Sequence, residues 1–275
     1  METKTSAVSE PAMTPMQRFN RQIHGVNAQA YLEQVLGEKK TEFVSNLVTV
    51  VANNEALQTC DPMSIVYAAL TATSLSLPLN PNLGCAALIP YNDKKSGKTL
   101  CQFQIMRDGW VELCHRTGQV ISIANEEVHE GELIKKNKFT GEYIFDEDAR
   151  KSDKIIGYMA YIKLVNGYEK TVYWTKEEVE AHAKQYSQVY KKGFGLWVDN
   201  PKAMALKTVL KHLIKKYMPK SVSLQKAILT DQAAINKDGV PTYVDAPDEQ
   251  EQHEAVVADK KEQLRSRESS APELL

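Results

Sequence analysis

The chain has 275 residues, of which 43% are hydrophobic and 25% are charged, and this composition predicts a globular protein with one sizeable core. No apolar run approaches the roughly 20 residues that are needed to cross a bilayer. The amino terminus, Met-Glu-Thr-Lys-Thr-Ser, lacks the apolar region of a secretion signal. We therefore expect a cytoplasmic protein that does not bind membranes.

Charge is distributed unevenly along the chain, although the net charge is only −1. Residues 241–275 contain nine acidic and four basic residues, a net charge of −5, so residues 1–240 carry +4. We predict three parts: a flexible segment over residues 1–27, a folded core over residues 28–240, and an acidic, disordered tail over residues 241–275.

Residue types that support catalysis or metal binding form no convincing motif. The six histidines include no pair at i, i+4, and the acidic run Asp146–Asp148 is interpreted as solvated charge in a loop. Gly97-Lys98-Thr99 has Asn92 where a phosphate-binding loop needs glycine. We predict no enzymatic activity, no metal and no cofactor. Buried, reduced thiols are predicted for Cys60, Cys85, Cys101 and Cys114.

Helical spacing of apolar residues predicts that ordered structure begins near Ala28. Two helices are expected over Ala30–Leu36 and Lys40–Asn53. Asp61 is a good N-cap and Pro62 suits the first helical position, so a further helix is predicted through Ala72. The apolar stripe expected on the second helix is Phe43, Leu47, Val50 and Val51.

A β-hairpin with a basic tip is predicted next. Leu83–Tyr91 and Leu100–Met106 are rich in strand-forming residues and flank the polar segment Asn92–Thr99. The lysines that this segment would hold in solvent, where they could contact phosphate, are Lys94, Lys95 and Lys98.

The junction after the second strand is predicted to contact a nucleic-acid strand. Strand alternation puts Gln104 on a face that would line an open groove. Arg107 and Trp110 would supply a phosphate clamp and a plane on which a base stacks. In the alternative interpretation Trp110 belongs to the core. Arg107 then pairs with Asp108 or Glu112.

The remaining elements predict an α+β fold: a small mixed or antiparallel sheet with a β-hairpin, flanked by N-terminal and C-terminal helices. A short helix over Asp108–Thr117 is closed by Gly118. Thr175 and Glu178 form a capping-box pattern that starts a helix toward Lys192. Asn166-Gly167 predicts a hairpin turn between the last two strands. The strands expected after Gly118 are Val120–Val128, Ile155–Val165 and Lys170–Trp174.

A basic helix is predicted between the N-cap Asn200 and Pro219. The segment from Lys202 to Lys220 carries six lysines, one histidine and no acid. Lys207, Lys211 and Lys215 recur at i, i+4 and i+8, which would place their ammonium groups about 6 Å apart along one side, close to the spacing of phosphates on a strand. The alternative is a solvated face on an ordinary core helix. Weaker candidates for DNA contact are Tyr91, Arg116, Lys191 and Lys192.

Four motifs follow one another between about residues 30 and 235: Leu57-x-x-Cys60-x-Pro62; Leu83-Gly-Cys-Ala-Ala-Leu-Ile-Pro-Tyr91; Gln104-Ile-Met-Arg-Asp-Gly-Trp-Val-Glu-Leu113 with Arg116-Thr-Gly118; and Trp197-Val-Asp-Asn-Pro-x-x-Met204 with Lys207-Thr-Val-Leu-Lys211. Together they resemble the RecT family of phage and prophage single-strand annealing proteins. Where family members often have Gly-Tyr-Arg-Gly-Trp, this chain has Ile-Met-Arg-Asp-Gly-Trp.

The resemblance implies an ATP-independent protein that coats single-stranded DNA as a ring or helical filament and pairs complementary strands in phage recombination. The partners it implies are single-stranded DNA, the annealed duplex intermediate, further copies of the chain, a phage exonuclease and the host single-strand-binding protein. The matched residues that would contact DNA are Tyr91, Gln104, Arg107, Trp110, Lys207 and Lys211.

Two other functions fit parts of the pattern: a structural, oligomeric phage protein and a sequence-specific duplex binder. The second would need base-reading Arg, Asn or Gln on its recognition helix, whereas this basic helix offers lysines, which suit contact with the DNA backbone. We expect Ala30–Val51 to supply part of an oligomer interface. The acidic tail would recruit a partner, shield the basic surface, or serve only as a linker.

Overall fold

The computed structural model describes residues 13–93, 96–137, 139–191, 193, 195–236 and 241–243. The predictions for Lys94, Lys95, Lys192 and the acidic tail beyond residue 243 lie outside these residues.

The helices run over α1 Pro15–Ile23, α2 Val26–Leu36, α3 Lys40–Ala52, α4 Glu55–Gln58, α5 Pro62–Ser74, α6 Arg107–His115, α7 Lys176–Tyr186, α8 Gln188–Lys191, α9 Leu196–Asp199, α10 Pro201–Tyr217 and α11 Val222–Thr230. The strands run over β1 Ala86–Asp93, β2 Lys98–Ile105, β3 Val120–His129, β4 Leu133–Asn137, β5 Glu142–Phe145, β6 Ile155–Leu164, β7 Glu169–Thr175, β8 Ala233–Ile235 and β9 Pro241–Tyr243.

The prediction that ordered structure begins near Ala28 is wrong. Helix α1 begins at Pro15, and Thr14 caps it by a capping box with Gln17. Phe19 and Ile23 lie four positions apart on one face of this helix and are buried in the main core. The polar composition of the segment concealed this short amphipathic stripe, whose burial compensates for the entropy cost of ordering it.

The predicted caps of the next helices are confirmed. The Asp61 side chain accepts hydrogen bonds from the backbone N–H groups of Met63 and Ser64 at the start of α5. The inward face of α3 is slightly rotated from the prediction: Leu47 and Val51 are buried as expected, but Val44 replaces Phe43, which is half-buried.

Antiparallel strands form three separate sheets, the smallest being the β4–β5 pair, so the α+β prediction is confirmed in class. The first sheet has the order β1-β2-β8-β9, and its β1–β2 hairpin pairs Tyr91 with Leu100. The second has the order β3-β6-β7, with Gly167 at φ 84° in the turn between its last two strands. The sequence had not predicted the β4–β5 hairpin, α11, β8 or β9.

Helix α10 is the main helix that packs against the second sheet. It packs across β6, β7 and β3 and also contacts α6 and α7. Leu206, Val209, Leu210, Leu213 and Ile214 are buried along it. Because so many elements pack against α10, its exposed residues lie only in its first and last turns, and the last turn carries Lys215 and Lys216.

The cysteines are all reduced, as predicted. Burial raises the pKa of the Cys60 and Cys114 thiols to about 12, so both are held as neutral thiols. Cys101 is buried as well, whereas Cys85 is half-buried. Within the described part of the chain, no cluster of three or more His, Cys, Asp or Glu side chains could hold a metal ion.

Candidate nucleic-acid interface

The ends of α10 are as predicted, but its lysines do not form a row in solvent. Asn200 caps the first turn by accepting a hydrogen bond from the Ala203 N–H at 3.2 Å. Lys207 is only 3% exposed, Lys211 is half-buried and Lys215 is exposed. Each step of four residues turns the helix by about 40°, which carries Lys207 beneath neighbouring elements while Lys215 remains outside. The predicted phosphate contact at Lys207 is therefore wrong.

Lys211 is engaged in an ion pair whose acidic partner is buried. Its Nζ lies 2.5 Å from Oδ2 of Asp231, whose side chain is buried. It also donates a hydrogen bond to Oε1 of Gln232 at 2.9 Å. The other carboxylate oxygen of Asp231 accepts a hydrogen bond from the Ile105 N–H at 2.7 Å. The charge of Lys211 is thus neutralised within the protein, which corrects its prediction as a phosphate contact.

Trp110 and Gln104 belong to the core, which corrects the prediction of an open groove at this junction. Trp110 is 0% exposed and Gln104 is 4% exposed. Strand β2 lies between β1 and β8 and contacts α5 and α11, so both of its faces are covered. The Lys211 Nζ lies 6.0 Å from the centre of the Trp110 ring, close enough for a cation–π contact. The alternative interpretation of Trp110 is therefore the right one.

The two arginines near this junction pair within the protein. Arg107 Nε donates to Asp108 Oδ1 at 2.8 Å, as the alternative interpretation predicted. Arg116 donates to Glu112 Oε1 and to the carbonyl oxygens of Leu75 and Ser76, all between 2.8 and 2.9 Å. These bonds hold the end of α5, so the structure gives Arg116 a structural role instead of a place on a DNA surface.

Three other candidates do reach the surface. Lys98 is exposed at the β1–β2 hairpin and lies 3.8 Å from Asp61 Oδ2. Lys191 is exposed at the end of α8. Tyr91 is half-buried on β1, where burial, followed by the charge of Asp93, raises its pKa to about 12. They lie on different elements from the exposed lysines of α10.

Four aromatic side chains that the sequence had not singled out form a continuous chain of contacts, called the ring row here. Successive ring centroids lie 4.6, 5.3 and 4.9 Å apart, within the range of favourable aromatic contacts. Trp174 and the two histidines are half-buried, and the outermost ring, that of Tyr186, is 45% exposed. In order, the members of the row are Tyr186, His182, Trp174 and His212.

The ring row lies in a positive environment and is itself neutral. Burial, followed by the charge of Lys211, lowers the pKa of His182 to about 4. The pKa of His212 is also lowered, by burial and then by Lys216 and Lys215. Both imidazoles therefore favour the uncharged form, because burial and neighbouring lysines oppose their protonation.

A second group of rings and lysines continues from the C-terminal end of α10. Lys170 and Lys216 lie 5.3 and 5.4 Å from the centre of the Tyr217 ring. Beyond it, Tyr143 contacts Tyr173 at 5.9 Å between ring centroids. Lys170, Lys216 and Tyr217 extend the ring row into a surface of rings and lysines at β7 and the end of α10, whereas Tyr173, which precedes Trp174 on β7, points to the opposite face of the sheet.

Spacing in the sequence carried only part of the signal for this surface. His182 and Tyr186 are four residues apart on a predicted helix, a separation that places their rings on one face. Trp174 and His212 are 38 positions apart, and only the packing of α10 against β7 brings them together. Lys215 is the one predicted contact residue on this surface among the described residues.

Comparison of the sequence with known proteins identifies the family of this chain. The model of the RecT family matches residues 41–256. A protein named as uncharacterized, YqaK of Bacillus subtilis strain 168, is 41% identical over 214 residues, which cover 78% of this chain and 72% of YqaK. Protein RecT of Escherichia coli K12 is 27% identical over 215 residues, which cover 75% of this chain and 78% of that protein.

These matches place the chain in the class of single-strand annealing proteins that act in DNA recombination. The chain belongs to the RecT family. The motifs between Leu57 and Lys211 that resembled this family lie within the matched residues. Among the residues that the structure describes, no helix is both long and apolar enough to span a bilayer.

Proposed function

We propose that this protein anneals complementary single strands of DNA without ATP, and that it coats the strands as an oligomer, either a ring or a helical filament. The observation that carries this proposal is the exposure of Lys215 and Lys216 at the last turn of α10, directly beside the ring row. Membership of the RecT family supports the annealing activity.

Annealing requires that two strands be brought together with their bases accessible. Repulsion between the phosphates opposes this approach, and lysines that bind phosphate reduce it by displacing counterions. Lysines contact the backbone without reading base edges, so Watson–Crick pairing between the strands supplies the specificity. In this proposal Lys215, Lys216 and Lys170 neutralise the backbone, and Lys98 and Lys191 are secondary contacts.

Oligomerisation follows because one basic surface of this size holds only a few nucleotides. A head-to-tail interface that does not close produces a helix, and one that closes produces a ring. We propose that α2 and α3 supply part of this interface. Leu47 is buried, so its substitution would unfold the chain, whereas Val35 on α2 is 50% exposed and suits a test of assembly. A phage exonuclease and the host single-strand-binding protein are proposed partners.

Annealing of two complementary fluorescent oligonucleotides without ATP, across a salt series, tests the proposal. The variant Lys215→Ala/Lys216→Ala should slow annealing. Each lost phosphate contact should lower the slope of log affinity for a single strand against log salt concentration by about 0.7, so the slope should decrease by about 1.4.

A matched control removes the same charge elsewhere. Lys151 and Lys226 are exposed and lie in the loop before β6 and on α11, outside the proposed DNA and oligomer surfaces. Lys151→Ala/Lys226→Ala should retain the wild-type rate and salt slope. If the wild type does not accelerate annealing at any salt concentration, the proposed function is wrong.

A further inference from the structure

The ring row has a property that distinguishes it from a buried aromatic cluster. Its inner members, Trp174 and His212, pack at the junction of β7 and α10, whereas its outer member, Tyr186, is 45% exposed at the end of α7. The row therefore leads from the half-buried junction of β7 and α10 to solvent through successive ring contacts. Each ring holds the next in place, so the exposed Tyr186 ring is held by the His182 ring at 4.6 Å between centroids.

The fixed position of the exposed Tyr186 ring favours ligand binding. A side chain that is already held by its neighbours loses less conformational entropy when a ligand packs on it. Tyrosine also presents a large apolar area with only two rotatable side-chain bonds. An exposed tyrosine backed by three further rings is therefore suited to bind a flat, uncharged, aromatic ligand.

The charges around the row specify what kind of ligand carries that flat group. Three lysines lower the pKa values of the two imidazoles: Lys211 acts on His182, and Lys216 and Lys215 act on His212. Lys211 is neutralised by Asp231, which leaves Lys215 and Lys216 exposed near the His212 end. Aromatic planes beside exposed ammonium groups are the combination that binds single-stranded nucleic acid, in which bases stack and phosphates pair.

We propose that the ring row is a stacking site for an unpaired nucleobase, with the exposed Tyr186 ring as its contact plane and Lys215 and Lys216, at the His212 end of the row, holding phosphates further along the same strand. This inference rests on the proposed function, because it assigns the base-binding part of the same surface. Stacking accepts any base, since every base has a flat π-face. A base held on one face keeps its Watson–Crick edge available to the complementary strand.

The proposal predicts a preference for bases that a purely electrostatic surface would not have. Wild-type protein should bind oligo(dT) more tightly than an abasic strand of the same length and charge. Tyr186→Ala should weaken binding of oligo(dT) by about 5- to 150-fold, which corresponds to one stacked base, and should leave the affinity for the abasic strand unchanged. Tyr186→Phe, which keeps the ring, should bind both strands as the wild type does.

The matched control is Tyr168→Ala. Tyr168 is 42% exposed, but it lies at the turn between β6 and β7, away from the ring row. Its substitution should change neither affinity. The lysine variant Lys215→Ala/Lys216→Ala should weaken binding of both strands to a similar degree, because it removes phosphate contacts only.

The outcomes separate this inference from the proposed function. If the wild type accelerates annealing but Tyr186→Ala binds oligo(dT) as tightly as the wild type does, the stacking site is disproved and the annealing function is retained. If Tyr186→Ala lost the same factor of affinity for both strands, stacking would also be disproved. If the wild type fails to anneal DNA yet shows a Tyr186-dependent preference for bases, the proposed function fails and the stacking site stands.

Discussion

The ion pair between Lys211 and Asp231 joins α10 to the end of α11 through one buried carboxylate. Asp231 also binds the Ile105 N–H at 2.7 Å, so three elements meet at this residue. A buried carboxylate is costly unless it is paired and hydrogen-bonded, and Lys211 provides the only ion pair described for it. The charge of Lys211 therefore stabilises the fold and is not available to a ligand.

Substitution of Lys211 should destabilise the protein. Lys211→Ala leaves the Asp231 carboxylate buried without its cation, which should lower the free energy of unfolding by about 3 kcal/mol. Urea unfolding followed by circular dichroism measures this change. Lys215→Ala, four residues further along the same helix, should lower the free energy of unfolding by less than about 1 kcal/mol. Similar urea midpoints for Lys211→Ala and the wild type would show that the pair does not stabilise the fold.

His182 should make stability dependent on pH. Its pKa is lowered from 6.5 to about 4 in the folded protein, so below pH 6.5 the unfolded chain binds a proton that the folded chain does not. The free energy of unfolding should therefore decrease as the pH falls from about 6.5 to 4. Above pH 6.5 this contribution is fully present.

The variant His182→Phe isolates this effect, because the carboxylates that titrate in the same range are present in both proteins. Urea unfolding at pH 7.5 and pH 5 should show a smaller loss of stability for His182→Phe than for the wild type. An identical loss in both proteins would mean that His182 is not buried as a neutral imidazole.

At the scale of the element, α1 is the clearest example of a helix specified by a few residues. The capping box of Thr14 and Gln17 starts it, Pro15 suits its first turn, and Phe19 and Ile23 attach it to the core. Short helices are marginal in water by themselves, so the packing of these two apolar residues is what stabilises α1.

Removal of the buried ring of α1 should be much more damaging than removal of its cap. Phe19→Ala should lower the free energy of unfolding by about 3 to 5 kcal/mol, since it leaves a cavity in the main core. Thr14→Ala should cost about 1 kcal/mol. Urea unfolding of both variants tests this order, and a Phe19→Ala protein as stable as the wild type would contradict the packing of α1 against the core.

At the scale of the whole molecule, the acidic and basic regions are separated along the chain. All nine acids counted in residues 241–275 lie after Tyr243, the last residue of β9. A deletion that tests their role must begin at residue 244, because Pro241–Tyr243 pairs with β8.

Removal of residues 244–275 should leave annealing of naked DNA at the wild-type rate, since the proposed contacts of α10 and the ring row remain. The oligonucleotide assay without ATP measures this rate. Faster annealing by the shortened chain, with the difference vanishing at high salt, would instead show that the acidic residues compete with DNA for the basic surface.

The sequence by itself determined the elements whose signals are local. The caps at Asp61, Thr175 and Asn200, and the Asn166-Gly167 turn, depend on hydrogen bonds and backbone angles within about four residues, so the pattern alone predicted them. The four ordered motifs were likewise sufficient to indicate the RecT family. The cap at Thr14 was equally local, but it lay in a segment whose composition resembled a linker.

Only the tertiary structure decided which charged and aromatic side chains reach solvent. Lys207 and Lys215 lie about 80° apart around the axis of α10, a difference that the sequence could not relate to burial. One is buried and the other exposed, because burial depends on which elements pack against α10. Trp110 has a side chain of the type on which bases stack, but it lies in the core. Trp174 lies in the ring row because α10 places His212 against it, a contact between residues too far apart in the chain for any local pattern to indicate.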